Sequence, residues 1–264
     1  MTPTIAITRD VSPDLAGCEL SYVSRSPIDI TLAAVQHRAY QGALSTLGCR
    51  VIALPAEAGL PDSVFVEDIA IVLDEIAIIT RPGAESRRAE RTSIAAALAH
   101  YRELRAIQAP GTLDGGDVLR VGRTLYVGQS RRSNASGIAQ LRDLSAEFGY
   151  TVRAVPITGC LHLKSSVTQV SDDTLLLQPE WVDRAVFNAA PTTDFRIIEI
   201  DPDEPHAANA VKVGNGLVYP SCFPRTLQRL HDAGIHVITV DVSELQKAEG
   251  AVTCCSLVFR ESAA

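Results

Sequence analysis

Apolar and polar positions along the chain follow an order that repeats. Residues 64–72 alternate as a strand does, and residues 75–80 predict a second strand after a turn. Residues 87–104 then carry apolar side chains at helical spacing. The order returns with strands at 117–121 and 125–127 about a turn at Gly122, and a helix over 135–148. It returns over 165–178, with a turn at Asp172–Asp173 and a helix near 181–189. It returns again over 210–219, with a turn at Gly214–Asn215–Gly216 and a helix over 226–233. One more apolar strand follows each helix, at 106–107, 151–155, 196–200 and 236–240.

The last apolar run, 252–259, has no partner strand or helix after it. The other end of the chain can supply both, as a strand at 4–8 and a helix over 30–47, with 49–54 as the closing strand. The expected fold is α/β: five units of roughly 40 to 50 residues, a period typical of propellers and arrays. The ring is closed by joining the N- and C-terminal segments, and one catalytic domain spans residues 1–264. A doubly wound α/β sheet also alternates strands and helices, but parallel βαβ units do not need the tight hairpin that each unit carries here. Residues 10–27 are the longest stretch without periodicity, a length that suits a lid or a surface connection equally.

Composition narrows the function classes. Hydrophobic residues make up 46% and charged residues 21%, as in ordinary globular chains. The net charge of −7 argues against a nucleic-acid surface, which needs clustered Lys and Arg, and agrees with a small cationic ligand. The six cysteines form no CxxC pair, and no His cluster has zinc-finger spacing. Reduced thiols, a cytoplasmic location, no metal and no cofactor are therefore expected. The N-terminus lacks the apolar core of a signal peptide, and no apolar stretch approaches a membrane span, so no membrane association is expected. A homodimer is compatible with the chain.

Four segments break the apolar pattern, each near the start of a unit. In Pro61–Asp68 three carboxylates, Asp62, Glu67 and Asp68, interrupt a strand of Val, Phe and Ile. Buried carboxylates need partners, and a planar cation with fixed N–H directions would be one. A turn cap at Asp62 and a local arginine for Glu67 would serve as well. Leu113–Asp117 places Asp114 before two glycines, which permits close backbone approach, positive φ or a plain turn. His162 begins another unit in an apolar setting, where a satisfied core histidine is the commoner outcome and a general base needs an orienting partner. In the fourth segment, Cys254 and Cys255 are adjacent, and on a strand only one of them faces the ring centre. A buried, inert role for both is the default. A ring would gather all four segments at one hub, supplying a nucleophile, a base, an orienting carboxylate and carboxylates for a cation.

At these residues the sequence resembles the dimethylarginine dimethylaminohydrolases, within the guanidine-modifying enzymes that include arginine deiminases and amidinotransferases. The matching stretches are PDSVFVED, TRPGAESRR, APGTLDGGDV, GQSRRSN, LHLKS, AAN and TCCS, in order along nearly the whole chain. The resemblance implies a five-bladed ββαβ propeller with pseudo-five-fold symmetry. It implies Cys254 as nucleophile, His162 as general acid and base, and Asp114 as the carboxylate that orients it. It implies Asp62, Glu67 and Asp68 around the guanidinium and amine, and Arg87 and Arg132 at the α-carboxylate. Leu20 in a lid loop, with Phe65 and Ala248, would complete the substrate site.

The implied reaction is hydrolysis of Nω-methylated arginine to citrulline and dimethylamine or methylamine through a covalent thiouronium. Three features depart from the family pattern. The lid reads GCELSYVSRSPID; Ala248–Glu249 replaces a larger aliphatic residue followed by Asp; Lys164 stands where arginine deiminases carry Asp. The other readings are a related guanidine hydrolase or arginine deiminase with a different substrate, an amidinotransferase, and a non-catalytic module that binds cationic amino acids.

Overall fold

A computed structural model of the protein describes residues 2–188 and 195–261. The chain opens with β1 (Thr4–Arg9), α1 (Ile30–Thr46) and β2 (Cys49–Leu54). Next come β3 (Ala70–Val72), β4 (Ile76–Ile79), α2 (Arg91–Leu98) and β5 (Glu103–Ala106). The third group is β6 (Val118–Val121), β7 (Thr124–Gln129), α3 (Ala135–Ala146) and β8 (Thr151–Pro156). The fourth is α4 (Leu163–Ser166), β9 (Val167–Gln169), β10 (Thr174–Leu177), α5 (Ala185–Asn188) and β11 (Arg196–Glu199). The fifth is β12 (Val211–Val213), β13 (Gly216–Pro220), α6 (Pro224–Asp232) and β14 (His236–Val240), followed by α7 (Ser243–Gln246) and β15 (Leu257–Arg260).

Among the described residues these strands make five three-stranded sheets: β15-β1-β2, β3-β4-β5, β6-β7-β8, β9-β10-β11 and β12-β13-β14. In each sheet the first pair is antiparallel and the second pair parallel. A parallel pair requires a crossover, which the helical segment of each unit supplies. The chain ends close the ring: Ile5 pairs with Phe259 of β15 on one side and with Arg50 of β2 on the other. The expected five-bladed ββαβ propeller is therefore the observed fold.

Apolar clusters bind neighbouring blades to each other. Ile5, Ile7 and Leu257 of one sheet pack with Ala77 and Ile79 of the next, and Ile76 and Ile78 pack with Leu125 and Val127 of the following one. Each such Ile, Leu or Val side chain contributes about 1.5–3 kcal/mol on burial, so the ring and its hub are held by contacts between blades.

Local elements differ from the pattern in ways that matter for the hub. The run 64–72 is a 3-10 turn, Val66–Ile69, followed by the short strand β3. Over 87–104 the chain makes a 3-10 turn, Glu85–Glu90, then α2, and β5 already begins at Glu103. The helix near 181–189 is the single turn α5, and its expected last residue lies outside the described residues. Residues 252–255 form a turn, and β15 starts only at Leu257. Similar short turns, Gly115–Asp117 and α4, precede β6 and β9. Backbone groups at these turns bond across blades, as when Glu67 N donates to the Cys254 carbonyl at 3.1 Å, and such bonds displace the strand ladder.

Candidate active site

The turns before the inner strands meet at one end of the ring. His162, the residue before α4, places its Nε2 3.1 Å from Asp114 Oδ2 and its Nδ1 3.7 Å from Asp68 Oδ1. Asp114 is fully buried and accepts the Gly83 amide at 2.8 Å through its other oxygen. Asp68 accepts the Gly116 amide at 3.0 Å and Arg87 Nη1 at 2.6 Å. Gly116 is a glycine because of this contact: a Cβ there would lie 2.6 Å from His162 Nδ1 and 2.7 Å from Asp68 Oδ1. Of the options open for the two glycines, the structure combines a turn, Gly115–Asp117, with close backbone approach, and neither glycine has positive φ.

Charge and burial set the protonation states. Burial would push the His162 imidazolium down, but the carboxylates of Asp68, Asp114 and Asp117 outweigh it and hold the pKa at about 9. Burial pushes Asp68 up, while the charges of His162 and Arg87 pull it down to about 2. Burial, with the nearby Glu67 and Asp68 charges, pushes the Cys254 thiol up to about 12. The resting site thus holds a neutral thiol beside an imidazolium and a carboxylate. Asp68, Asp114 and His162 bring three ligand atoms within 4.8 Å of one another. A metal there would have to displace the proton that the carboxylates hold on His162, which makes binding at this trio pH-dependent.

Cys254 lines a pocket with Asp62, Phe65, Asp68, Arg87, Arg132, His162 and Ala248, all of them anticipated from the sequence. Leu161, Glu19, Glu249 and Gly250 complete it. The cavity measures about 20 Å³, room for little more than one water. The segment around Glu19 and Ser21 lies over it: Glu19 N donates to Asp62 Oδ2 at 3.1 Å, and Arg132 Nη2 lies 3.3 Å from Ser21 Oγ.

Other expected site residues are placed differently. Leu20 is half-buried against the apolar cluster of α1 and does not line this pocket. Glu67 bonds to Lys164 Nζ at 2.6 Å, and both line a larger cavity of about 460 Å³ that runs along the inner strands. Arg87 gives Nε and Nη2 to Glu90, at 3.0 and 2.9 Å, and Nη2 also reaches the carbonyls of Asp62 and Phe65. With one Nη1 proton on Asp68, at most one N–H of Arg87 is left for a ligand. Cys255 is fully buried and Cys254 partly buried, but they lie on a turn, so strand alternation is not what separates them.

Two supporting residues escaped the sequence reading. Asp117, fully buried and raised to about 6 by burial, accepts from Ser130, Ser133 and the Leu163 amide. Asn209 donates to the Lys164 carbonyl and to Thr253 Oγ1, each at 2.9 Å, and accepts the Thr253 amide at 3.0 Å, tying the His162 turn to the Cys254 turn. A second Asp after the glycine pair was the available signal for Asp117. Asn209 carried only its place in the AAN stretch.

A ring of five ββαβ blades with a thiol, an imidazole and carboxylates at its hub defines a guanidine-modifying enzyme of the pentein type. The family model for eukaryotic N,N dimethylarginine dimethylhydrolase matches residues 24–259. The N(G),N(G)-dimethylarginine dimethylaminohydrolase of Streptomyces coelicolor is 40% identical over 257 residues, covering 97% of each chain. The Pseudomonas aeruginosa enzyme, solved as a Cys-to-Ser variant with citrulline, superposes with a TM-score of 0.90 at 36% identity, covering 98% of this chain and 100% of its own. A His-to-Gly dimethylarginine dimethylaminohydrolase bearing an S-methyl-L-thiocitrulline adduct gives a TM-score of 0.89 at 36% identity, with coverage of 98% and 100%. The chain belongs to the dimethylarginine dimethylaminohydrolase family, hydrolases that act on guanidino C–N bonds.

Proposed function

We propose that the chain hydrolyses asymmetric dimethylarginine or monomethylarginine to citrulline and dimethylamine or methylamine, with Cys254 as nucleophile. The observation that carries this is the single pocket that joins Cys254, His162, Asp68 and Arg132. Asp68 stays ionised beside the thiol and suits a guanidinium, and Asp62 and Arg132 suit the two charges of an amino-acid end.

The electrostatics give an order of events. A thiol near pKa 12 between carboxylates is unreactive when the site is empty. A bound guanidinium neutralises Asp68 and favours the thiolate, whose proton leaves to solvent. The sulfur adds to the guanidino carbon, which the carboxylates hold in plane beneath it. Collapse breaks the C–N bond while the His162 imidazolium protonates the departing amine. The neutral imidazole then takes a proton from water, the hydroxide adds to the thiouronium carbon, and the C–S bond breaks as the new hydroxyl passes its proton to the departing sulfur, which releases citrulline. One water is consumed, and thiol and imidazolium are restored.

Turnover of asymmetric dimethylarginine, monomethylarginine and arginine, assayed for both citrulline and amine, tests the reading. A methylated arginine is expected to have the highest kcat/KM. Faster release of ammonia from arginine, or transfer of the amidino group to added glycine, would overturn it.

A further inference from the structure

We propose that Glu249 is the latch of the lid: its carboxylate fastens residues 21–23 over the Cys254 pocket and so positions the lid for catalysis. The proposal rests on reading that pocket as the active site. The carboxylate accepts three consecutive lid amides. Ser21 N lies 2.8 Å from Oε1 and 3.0 Å from Oε2, Val23 N lies 2.7 Å from Oε1, and Tyr22 N donates to the same oxygen. Successive N–H groups converging on one point form an anion-binding concavity. An open lid would leave those donors to water.

The backbone at Glu249 is built to aim this side chain. Its φ of 57° makes it the only non-glycine residue with positive φ among the described residues. That conformation is unfavourable for a residue with a Cβ and persists only where its surroundings impose it. Here they do. Glu249 N bonds to the Gln246 carbonyl at 3.1 Å, and Gly250 N to the Leu245 carbonyl at 2.9 Å, closing the turn after α7. Gly250 then packs on the Phe65 ring, which any Cβ at that position would strike. The turn carrying Glu249 is thus fixed on the pocket wall, and its carboxylate points to the lid.

The remaining lid contacts explain why a dedicated latch is needed. Asp62 holds the lid through Glu19 N, and Arg132 through Ser21 Oγ. Both are residues that the substrate's amino-acid end would claim. Glu249 also lines the pocket, but its carboxylate is committed to the amides of residues 21–23, so it can keep the lid shut while Asp62 and Arg132 turn to the ligand. The chain also carries a native reporter: Trp181, the sole tryptophan, lines a cavity of about 340 Å³ together with Tyr22 and Val23 of the lid and Glu249 itself.

The test compares the full-length protein with Glu249→Gln and Glu249→Gly. The glycine variant removes the carboxylate and relieves the left-handed backbone, so it is expected to melt within a few degrees of the parent. Without substrate, both variants should label faster with iodoacetamide at Cys254, about tenfold for Glu249→Gly and less for Glu249→Gln, and both should show stronger acrylamide quenching of Trp181. With asymmetric dimethylarginine, KM should rise more than kcat falls. Unchanged labelling, or faster labelling without a change in Trp181 quenching, overturns the latch, the second because it reports only the lost charge. The labelling and quenching arms need no turnover, so failure of the chain to hydrolyse methylarginine would sink the proposed substrate without touching them.

Discussion

Asp114, a carboxylate with no exposed surface, holds His162 Nε2 at 3.1 Å. With that nitrogen engaged, Nδ1 lies on the side of Asp68, 3.7 Å from its Oδ1, and is the nitrogen that the proposed mechanism would use for proton transfer.

Asp114→Asn should keep the geometry but remove the charge that sustains the imidazolium. We expect kcat to fall by roughly 10²–10⁴, with the alkaline limb of the pH–rate profile moved to lower pH. Steady-state kinetics across the pH range check this, and an unchanged limb would count against an orienting role for Asp114.

His162 also makes stability depend on pH. Its pKa of about 9 in the fold exceeds the roughly 6.5 of a free imidazole, so the folded state binds the proton more tightly. The resulting stabilisation is complete below about pH 6.5 and is lost as pH rises through about 9. Urea unfolding of the parent should show a decline over this window that His162→Gln lacks.

Cys254→Ser should abolish turnover while leaving the fold intact. Cys255→Ser should stay active but lose about 1–3 kcal/mol, because a hydroxyl replaces a thiol at a fully buried core position. Citrulline assays paired with thermal melts separate the two effects, and equal loss of activity in both variants would refute the assignment.

Gly116→Ala places a methyl within 2.6 Å of His162 Nδ1 and 2.7 Å of Asp68 Oδ1. Backbone cannot yield easily there, since the Gly116 amide is itself bonded to Asp68. Activity should fall at least about 100-fold, as misplacing a catalytic group by an ångström does, and the imidazole proton resonances should shift.

Arg87→Met leaves Asp68 and Glu90 buried without their shared cation; both ion pairs have partners about 5% exposed or less. Removing one member of a buried pair costs about 3–5 kcal/mol. Denaturant midpoints should register this, and a smaller loss in Arg87→Met/Glu90→Gln than the single changes sum to would establish coupling.

The five-unit ring was legible because each unit repeats its own hairpin, helix and returning strand, and local periodicity survives in sequence. The hub residues were legible as polar side chains in apolar runs: Asp68, His162 and Cys254 all proved to line one pocket. Their local structure was not. Glu67 and Asp68 look like strand positions by composition, yet they sit on a 3-10 turn. The bonds that decide this, such as Glu67 N to Cys254 O, reach across the whole chain.

By itself the sequence pointed to the repeat, the closure of the ring through the two chain ends and the polar segments that interrupt its apolar runs. Short-range hydrophobic pattern and residue chemistry suffice for those. Tertiary structure alone decided that Arg87 is engaged by Asp68 and Glu90, that Glu67 turns to Lys164, and that Glu249 reaches the lid. Glu67 with Lys164 and Glu249 with residues 21–23 join stretches about 100 or more residues apart, and the Arg87 contacts depend on how the turns of one blade fold together; no hydrophobic period encodes which polar groups end up within about 3 Å of one another.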